Sequence, residues 1–222
     1  MTTPKRIGRA AALVLAPRRD FCLDFANTLA WRGSAPSESL HGFPDLLHWC
    51  ASSGSVLAGA IADSGTNGTK GAHGTNGTWA DRHPMEAAAI FRGAIALRET
   101  TYRIFHAVAS GSAPADGDLS ELNRELKETP ARDALQRIGG AFGWRVEGKP
   151  LATASALLAP VLWSAGDLLA GPQLERVREC ANGKCLWLFL DESKNGTRRW
   201  CSMTACGNRA KAHRHYARLK GG

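Results

Sequence analysis

Four of the six cysteines stand in the last 43 residues, in the order Cys180-x4-Cys185-x15-Cys201-x4-Cys206. Two close pairs joined by a hairpin-length spacer are what one tetrahedral Zn2+ ion needs from four thiolates. The spacer has an apolar run, Leu186–Leu190, then a polar turn ending in Asn195-Gly196, then Thr197–Trp200. This pattern predicts two strands that carry Cys185 back toward Cys201, so that both pairs share one metal. The competing chemistry is two disulfides, which need an oxidising compartment. The short apolar run from Ala10 to Ala16 is too brief to span a membrane and lacks a cleavage region. A cytoplasmic protein with a zinc cofactor and no membrane partner is therefore expected.

The formal net charge of +8 is confined to this end of the chain. Residues 176–222 hold 11 Lys and Arg against 3 Asp and Glu, whereas residues 1–175 hold 17 of each sign. Such a dense basic patch on a small metal-built module is the footprint of a polyanion binder. From Asn208 to Lys220 neither proline nor glycine interrupts, and Gly221-Gly222 follows, which predicts a helix. Lys211, Arg214 and Arg218 recur on one face, with Ala212, Tyr216 and Leu219 expected to pack on the other. Double-stranded DNA is the expected partner. Arg209 and Arg214 are candidate base readers, Lys211, Arg218 and Lys220 suit phosphates, and Arg198 and Arg199 complete the candidate nucleic-acid-binding set. Two structural roles are open as well: Asn208 can cap the helix, and Arg209 can pair with Asp191 or Glu192. A single finger buries little surface on DNA, so a homodimer is expected.

The residues around these cysteines carry a resemblance. Arg198-Arg199-Trp200-Cys201-Ser202-Met203 and Cys206-Gly207-Asn208-Arg209 are similar to the CGNR zinc finger of bacterial proteins. Upstream, Phe21-Cys22-Leu23-Asp24-Phe25-Ala26-Asn27-Thr28-Leu29-Ala30-Trp31-Arg32 resembles the opening of the ABATE domain, which precedes that finger in a family of stress-induced transcription regulators. The resemblance implies a DNA-binding finger attached to a sensing domain for a small-molecule or stress signal.

Residues 1–175 are long enough for one core, and helical periodicity dominates them. An apolar stripe runs from Glu86 to Val108, a shorter pattern covers Leu119–Leu126, and a broad face covers Thr153–Ala170 with a kink expected at Pro160. Alternation around Phe142–Val146 suggests a strand. Residues 54–80, rich in Gly, Thr and Asn, read as a flexible insert. The expected architecture is mainly α with minor β. A helical sensing domain, 1–175, precedes a finger, 176–222, built as a β-hairpin plus C-terminal helix in a treble-clef-like arrangement.

Asp24, Asn27, Thr28, Trp31 and Arg32 form the candidate effector cluster, with Arg98 and Glu99 of the long helix as further members. Two roles are open for them. They can orient a small polar effector in an apolar pocket. Alternatively, Asp24 pairs with Arg32 while Asn27 and Thr28 satisfy buried backbone groups. His41, His48, His83 and His106 are not spaced to serve any nucleophile, so no enzyme is expected. Cys22 reads as a small core residue, and Cys50 as either core or redox sensor. The rival readings are an RNA-binding module, or a small-molecule enzyme or protein adaptor that uses the finger as scaffold.

Overall fold

The computed structural model describes residues 11–15, 17–53, 78–138, 140–147 and 152–220. In chain order its elements are β1 (Ala11–Leu15), α1 (Phe21–Ala26), β2 (Leu29–Ala30), β3 (Ser37–Glu38), α2 (Phe43–Ser52), α3 (Trp79–Arg82), α4 (Pro84–Ala109) and α5 (Asp116–Lys127). There follow β4 (Ala134–Ile138), β5 (Ala141–Glu147), α6 (Ala154–Leu157), α7 (Ala159–Leu169), β6 (Val177–Glu179), β7 (Leu188–Leu190) and α8 (Asn208–Lys220). The mainly helical class with small sheets is as expected. The Gly-rich insert lies outside the described residues, apart from Thr78, Trp79 and Ala80. Among the described residues no helix is long and apolar enough to cross a membrane.

Contacts divide the chain into two compact units. The first draws on Met1–Arg18, His41–Ala96 and Arg124–Trp163. Its sheet is antiparallel in the order β1-β5-β4, with Leu13 opposite Arg145 and Leu135 opposite Trp144. Thr78 caps α3 reciprocally: its hydroxyl accepts from the Asp81 amide at 3.3 Å, and the Asp81 carboxylate accepts from the Thr78 amide at 2.7 Å. Six residues further on, the apolar stripe of α4 starts to bury Ala87, Ile90 and Ala94. Gly93 lies close to Ala154, where a Cβ would come within 3.0 Å of the alanine methyl. The predicted kink at Pro160 is a full break. Thr153 caps α6 through the Ala156 amide, and α7 restarts at Ala159 with proline in its first turn, where its missing N–H costs nothing.

The second unit draws on Arg19–Leu40, Leu97–Asn123 and Ser164–Gly222. The cysteine-bearing segment therefore shares its unit with the Phe21–Arg32 motif and with the second half of the long helix. Helix α1 buries Phe21, Cys22, Leu23, Phe25 and Ala26. Its start is fixed by Ser164, whose hydroxyl donates to the Arg19 carbonyl and accepts from the Cys22 amide, each at 3.0 Å. Its end is fixed by Asn27, which is buried. The Asn27 amide group donates to the Leu188 carbonyl at 2.7 Å, and its oxygen accepts from the Leu188 N–H at 3.0 Å.

Strand β7 pairs on its other side with β6, Val177 opposite Leu190 and Glu179 opposite Leu188. The side chain of Asn27 thus acts as a one-residue third strand on a two-stranded ribbon. The ribbon differs from the predicted one. Leu188–Leu190 does form a strand, but its partner is Val177–Glu179, and 197–200 is not a strand. The reason lies in Asp191, which has no accessible surface. Its carboxylate accepts from the Ser193 and Arg198 amides at 2.9 and 2.8 Å, so the returning segment spends its hydrogen bonds on a side chain rather than on a ladder. The Arg199 carbonyl then accepts from the Ala181 amide at 2.8 Å.

Replacing Asn27 by Ala strands both the N–H and the C=O of a buried residue. We expect a loss of about 2–6 kcal/mol, from about 1–3 for each of the two unsatisfied groups. Urea unfolding of the full chain measures it, and an unchanged midpoint would show that β7 needs no third partner.

Candidate metal centre

The four sulfur atoms of Cys180, Cys185, Cys201 and Cys206 lie within 4.8 Å of one another. Cys185 Sγ is 3.8 Å from Cys201 Sγ, which is 3.9 Å from Cys206 Sγ. A tetrahedron of thiolates at the Zn–S distance of about 2.3 Å has an S–S edge of about 3.8 Å. The donor set therefore fits a zinc ion, and none of the six cysteines is in a disulfide.

Two short turns deliver the sulfurs. The first begins at the end of β6, where Asn182 accepts from the Cys185 amide through its carbonyl and from the Lys184 amide through its side chain. Leu186, directly after Cys185, takes a left-handed φ of +55°. The second is a wide turn, Met203–Gly207, capped by Ser202 through the Ala205 amide and running directly into α8. Ser202 rather than Asn208 is therefore the capping residue, and the Asn208 side chain donates to the Thr204 carbonyl.

The thiols show what the cluster demands electrically. A hydrogen bond from the Cys201 thiol pulls the Cys180 pKa down to about 5. Burial pushes Cys185 up to about 12, and Cys201 is raised as well, because its proton is the one Cys180 leans on. One negative charge is tolerated here unaided, and four need a cation between them.

Residues 31–34 clasp the first turn. Trp31 packs against the cysteine cluster with a left-handed φ of +56°. Gly33 runs so close to the turn that a Cβ there would sit 1.9 Å from the Gly183 carbonyl oxygen. Ser34 donates to the Lys184 carbonyl at 3.3 Å.

The candidate effector residues are drawn into the same framework. Thr28 donates to the Phe25 carbonyl and Asn27 holds Leu188, so both satisfy buried backbone groups. Arg32 pairs with Glu99 through both terminal nitrogens, at 2.7 and 3.1 Å, donates to the Ala26 carbonyl, and lies 3.9 Å over the Tyr102 ring. The Tyr102 hydroxyl donates to the Leu186 carbonyl at 3.1 Å. Arg98, only 2% exposed, reaches Glu38 at 2.7 Å, Glu99 at 2.8 Å and Thr28 at 3.4 Å. Arg98 and Glu99 are thus bonded to Thr28 and Arg32 respectively. Asp24 is half-buried on α1. Glu38 and Gly33 were not singled out from the sequence, since only long-range pairing gives them a role. Asp191 had a local signal, the Asp-x-Ser spacing of a side-chain turn.

The basic residues divide into two groups. The Arg198 guanidinium donates to the Trp200 and Cys201 carbonyls and lies 4.6 Å over Phe189, so it braces the second turn. Arg209 sits 4.7 Å over Trp31 rather than pairing with Asp191, and Arg199 sits 5.5 Å from the Trp200 ring centre. Lys211 is exposed on α8, and the side chains of Arg214 and Arg218 lie outside the described ones. Ala212 and Tyr216, expected to pack, are exposed instead, Tyr216 by 65%. Cys22 and Cys50 are buried, and burial pushes each thiol up to about 12, the opposite of what a redox-sensing thiolate requires.

Burial works against the Glu38 carboxylate, but the Arg98 hydrogen bond and the Leu40 and Ser39 amides outweigh it, and its pKa is lowered. At Glu99 burial is outweighed by Arg32 and then Arg98, with the same net direction. Groups with lowered folded values contribute stability above the unfolded carboxylate pKa of about 4.3, and lose it as pH falls toward their folded values. A Glu38→Gln variant should therefore lose less thermal stability than the parent on acidification through that window. Parallel melting curves would argue against a charged Glu38–Arg98 pair.

A family model for ABATE, described as "Putative stress-induced transcription regulator", matches residues 19–172. A second, for the CGNR zinc finger, matches residues 176–219. No curated protein matches the chain.

Proposed function

Because the chain belongs to the ABATE family and closes on a CGNR zinc finger, we propose that it is a transcription regulator that holds one structural zinc ion and binds double-stranded DNA. The observation that carries the metal is the cluster of four sulfurs within 4.8 Å of one another, with two separations of 3.8 and 3.9 Å. Cys180, Cys185, Cys201 and Cys206 would hold the ion, which supplies the positive charge that four thiolates require and ties the two turns together. A full set of four protein ligands leaves zinc no vacant position, so its role is structural.

The DNA-binding face is the exposed side of α8 together with the second turn. By helical spacing Lys211, Arg214 and Arg218 fall on one side of the helix; Lys211 and Arg218 would supply phosphate contacts and Arg214 would read a base edge. Arg209 and Asn208 stand at the start of that helix. Arg198 acts on the DNA indirectly, by holding the Trp200–Cys201 backbone. The exposed Tyr216 gives the helix an apolar tip, which suits a second copy of the chain on a two-fold operator. A small-molecule or stress signal, acting on the unit that α1 and α4 share with the finger, would change the presentation of this face. Arg98 and Arg32 are the residues such a signal would have to perturb.

Two experiments test the reading. Zinc content measured on purified protein should be one ion per chain, falling to well below one in a Cys206→Ser variant. Unchanged stoichiometry would remove Cys206 from the ligand set. Selection from a random duplex library by the zinc-loaded protein, at roughly physiological salt with competitor DNA, should enrich one motif. Changing Lys211, Arg214 and Arg218 together to Ala should abolish that enrichment and reduce the slope of log K against log salt by about 3. Undiminished affinity in the triple variant would place the interface elsewhere, and a preference for RNA would favour the RNA-binding alternative.

A further inference from the structure

Beside the sulfur cluster, within the second unit, lies a cavity of about 660 Å3. Its walls include Trp31, Trp200, Lys184, Arg199, Arg209 and Asn182. Cys206 lies at its edge, so the cavity adjoins the metal centre without being that centre. Its volume falls within the range of about 300–1,000 Å3 typical of small-ligand sites. Among the described residues that line it there are three cations and no carboxylate. That imbalance sets this hollow apart from the Arg32–Glu99–Arg98–Glu38 cluster, where every cation meets an acid.

The cations are organised by the indoles. Trp31 and Trp200 pack against the cysteine cluster, so their rings are fixed. Arg209 and Arg199 each lie over one of them, at 4.7 and 5.5 Å. A guanidinium held over a fixed ring has little rotamer freedom left to lose, which suits a phosphate or carboxylate fork. Lys184 adds a compact third charge from the first cysteine turn. Four thiolates and one zinc ion at the edge of the cavity carry a net charge of about −2, so the three cations leave about one positive charge in excess, which suits a single phosphate group. The two indole–guanidinium contacts offer surfaces on which a flat ring can lie.

We propose that this cavity binds a nucleotide-class ligand, with its phosphate on Lys184, Arg199 and Arg209 and its base stacked beside Trp31 or Trp200. The site does not depend on duplex recognition by α8, since Lys184 lies outside that face. Arg199 and Arg209 serve both, however, so an occupied cavity competes with the duplex for two of its cations. The same chemistry comes from two sources, a free nucleotide or an unstacked nucleotide of a DNA strand.

The test is calorimetric titration of the zinc-loaded full chain with adenosine 5′-monophosphate and, in a second arm, with a short single-stranded oligodeoxyadenylate. The indole N–H signals of Trp31 and Trp200 are followed by NMR in parallel. Saturable binding of either probe that moves those two signals, and that weakens about tenfold in Lys184→Ala, supports the site. Binding of the mononucleotide identifies a soluble ligand, and binding of the oligonucleotide alone identifies a strand. Adenosine, which lacks the phosphate, should bind at least tenfold more weakly than its monophosphate. Zinc content checks that the Lys184→Ala variant is folded. Neither probe binding at millimolar concentration, or binding indifferent to Lys184→Ala, overturns the proposal. That result leaves duplex selection by α8 untouched, so the two readings fail separately.

Discussion

Four thiol sulfurs confined within 4.8 Å cannot all carry charge without a cation among them, and protonated they offer one another only weak hydrogen bonds. The C-terminal segment has little apolar material with which to force them together: Val177, Leu188, Phe189 and Leu190 are its main buried side chains besides cysteine. The cluster is therefore shaped from outside. Trp31 covers it, Gly33 lies against the backbone of its first turn, and Asn27 completes the ribbon that leads into it. The tight fit at residue 33 and the left-handed φ values at Trp31 and Leu186 mark where the chain bends to meet that constraint. Left-handed backbone at residues with side chains costs on the order of 1–3 kcal/mol each, a strain that persists only where surrounding contacts over-determine it.

A second layer of control is electrostatic. Arg98 is almost wholly enclosed and is tolerable there because Glu38 and Glu99 each accept from it. Glu99 also receives the fork of Arg32, whose planar face rests on Tyr102, and Tyr102 in turn bonds the Leu186 carbonyl beside Cys185. A continuous series of bonds thus runs from the β2–β3 ribbon, through the long helix, to the first cysteine turn. It contains both polar and charged members, so a change in protonation or packing at one end alters the groups that fix the other.

The sequence made the outline readable where the signals are local. Helical periodicity located α4, α5 and the α6–α7 region, although it merged the last two, and cysteine spacing located the four-sulfur cluster. The strand at Leu188–Leu190 was legible from its composition, but its partner was not. Asp191 takes the Arg198 amide, in the middle of the segment 197–200, away from a ladder, and a buried carboxylate acting this way resembles an ordinary turn residue in sequence. The Asp24–Arg32 cluster shows a different limit. Its residue types suit either a ligand or a framework, and which bonds Asn27 makes is decided by a residue far along the chain. Glu38 and Gly33 carry no periodic or compositional signal at all. Tyr216 was assigned to a packed face by helical spacing, and spacing says nothing about whether a second surface exists to receive it.

The bond between Asn27 and Leu188 spans 161 residues of sequence. During synthesis, helix α1 leaves the ribosome long before strand β7 exists, and its end waits in water with an amide that has no strand to join. Contacts of such long range are slow to form, because the entropy of closing the intervening chain is lost before any interaction is gained. The segment that begins the ABATE motif can settle only after strand β7, near the start of the finger, has been made. The earliest helix of this unit thus becomes native only together with a strand made much later.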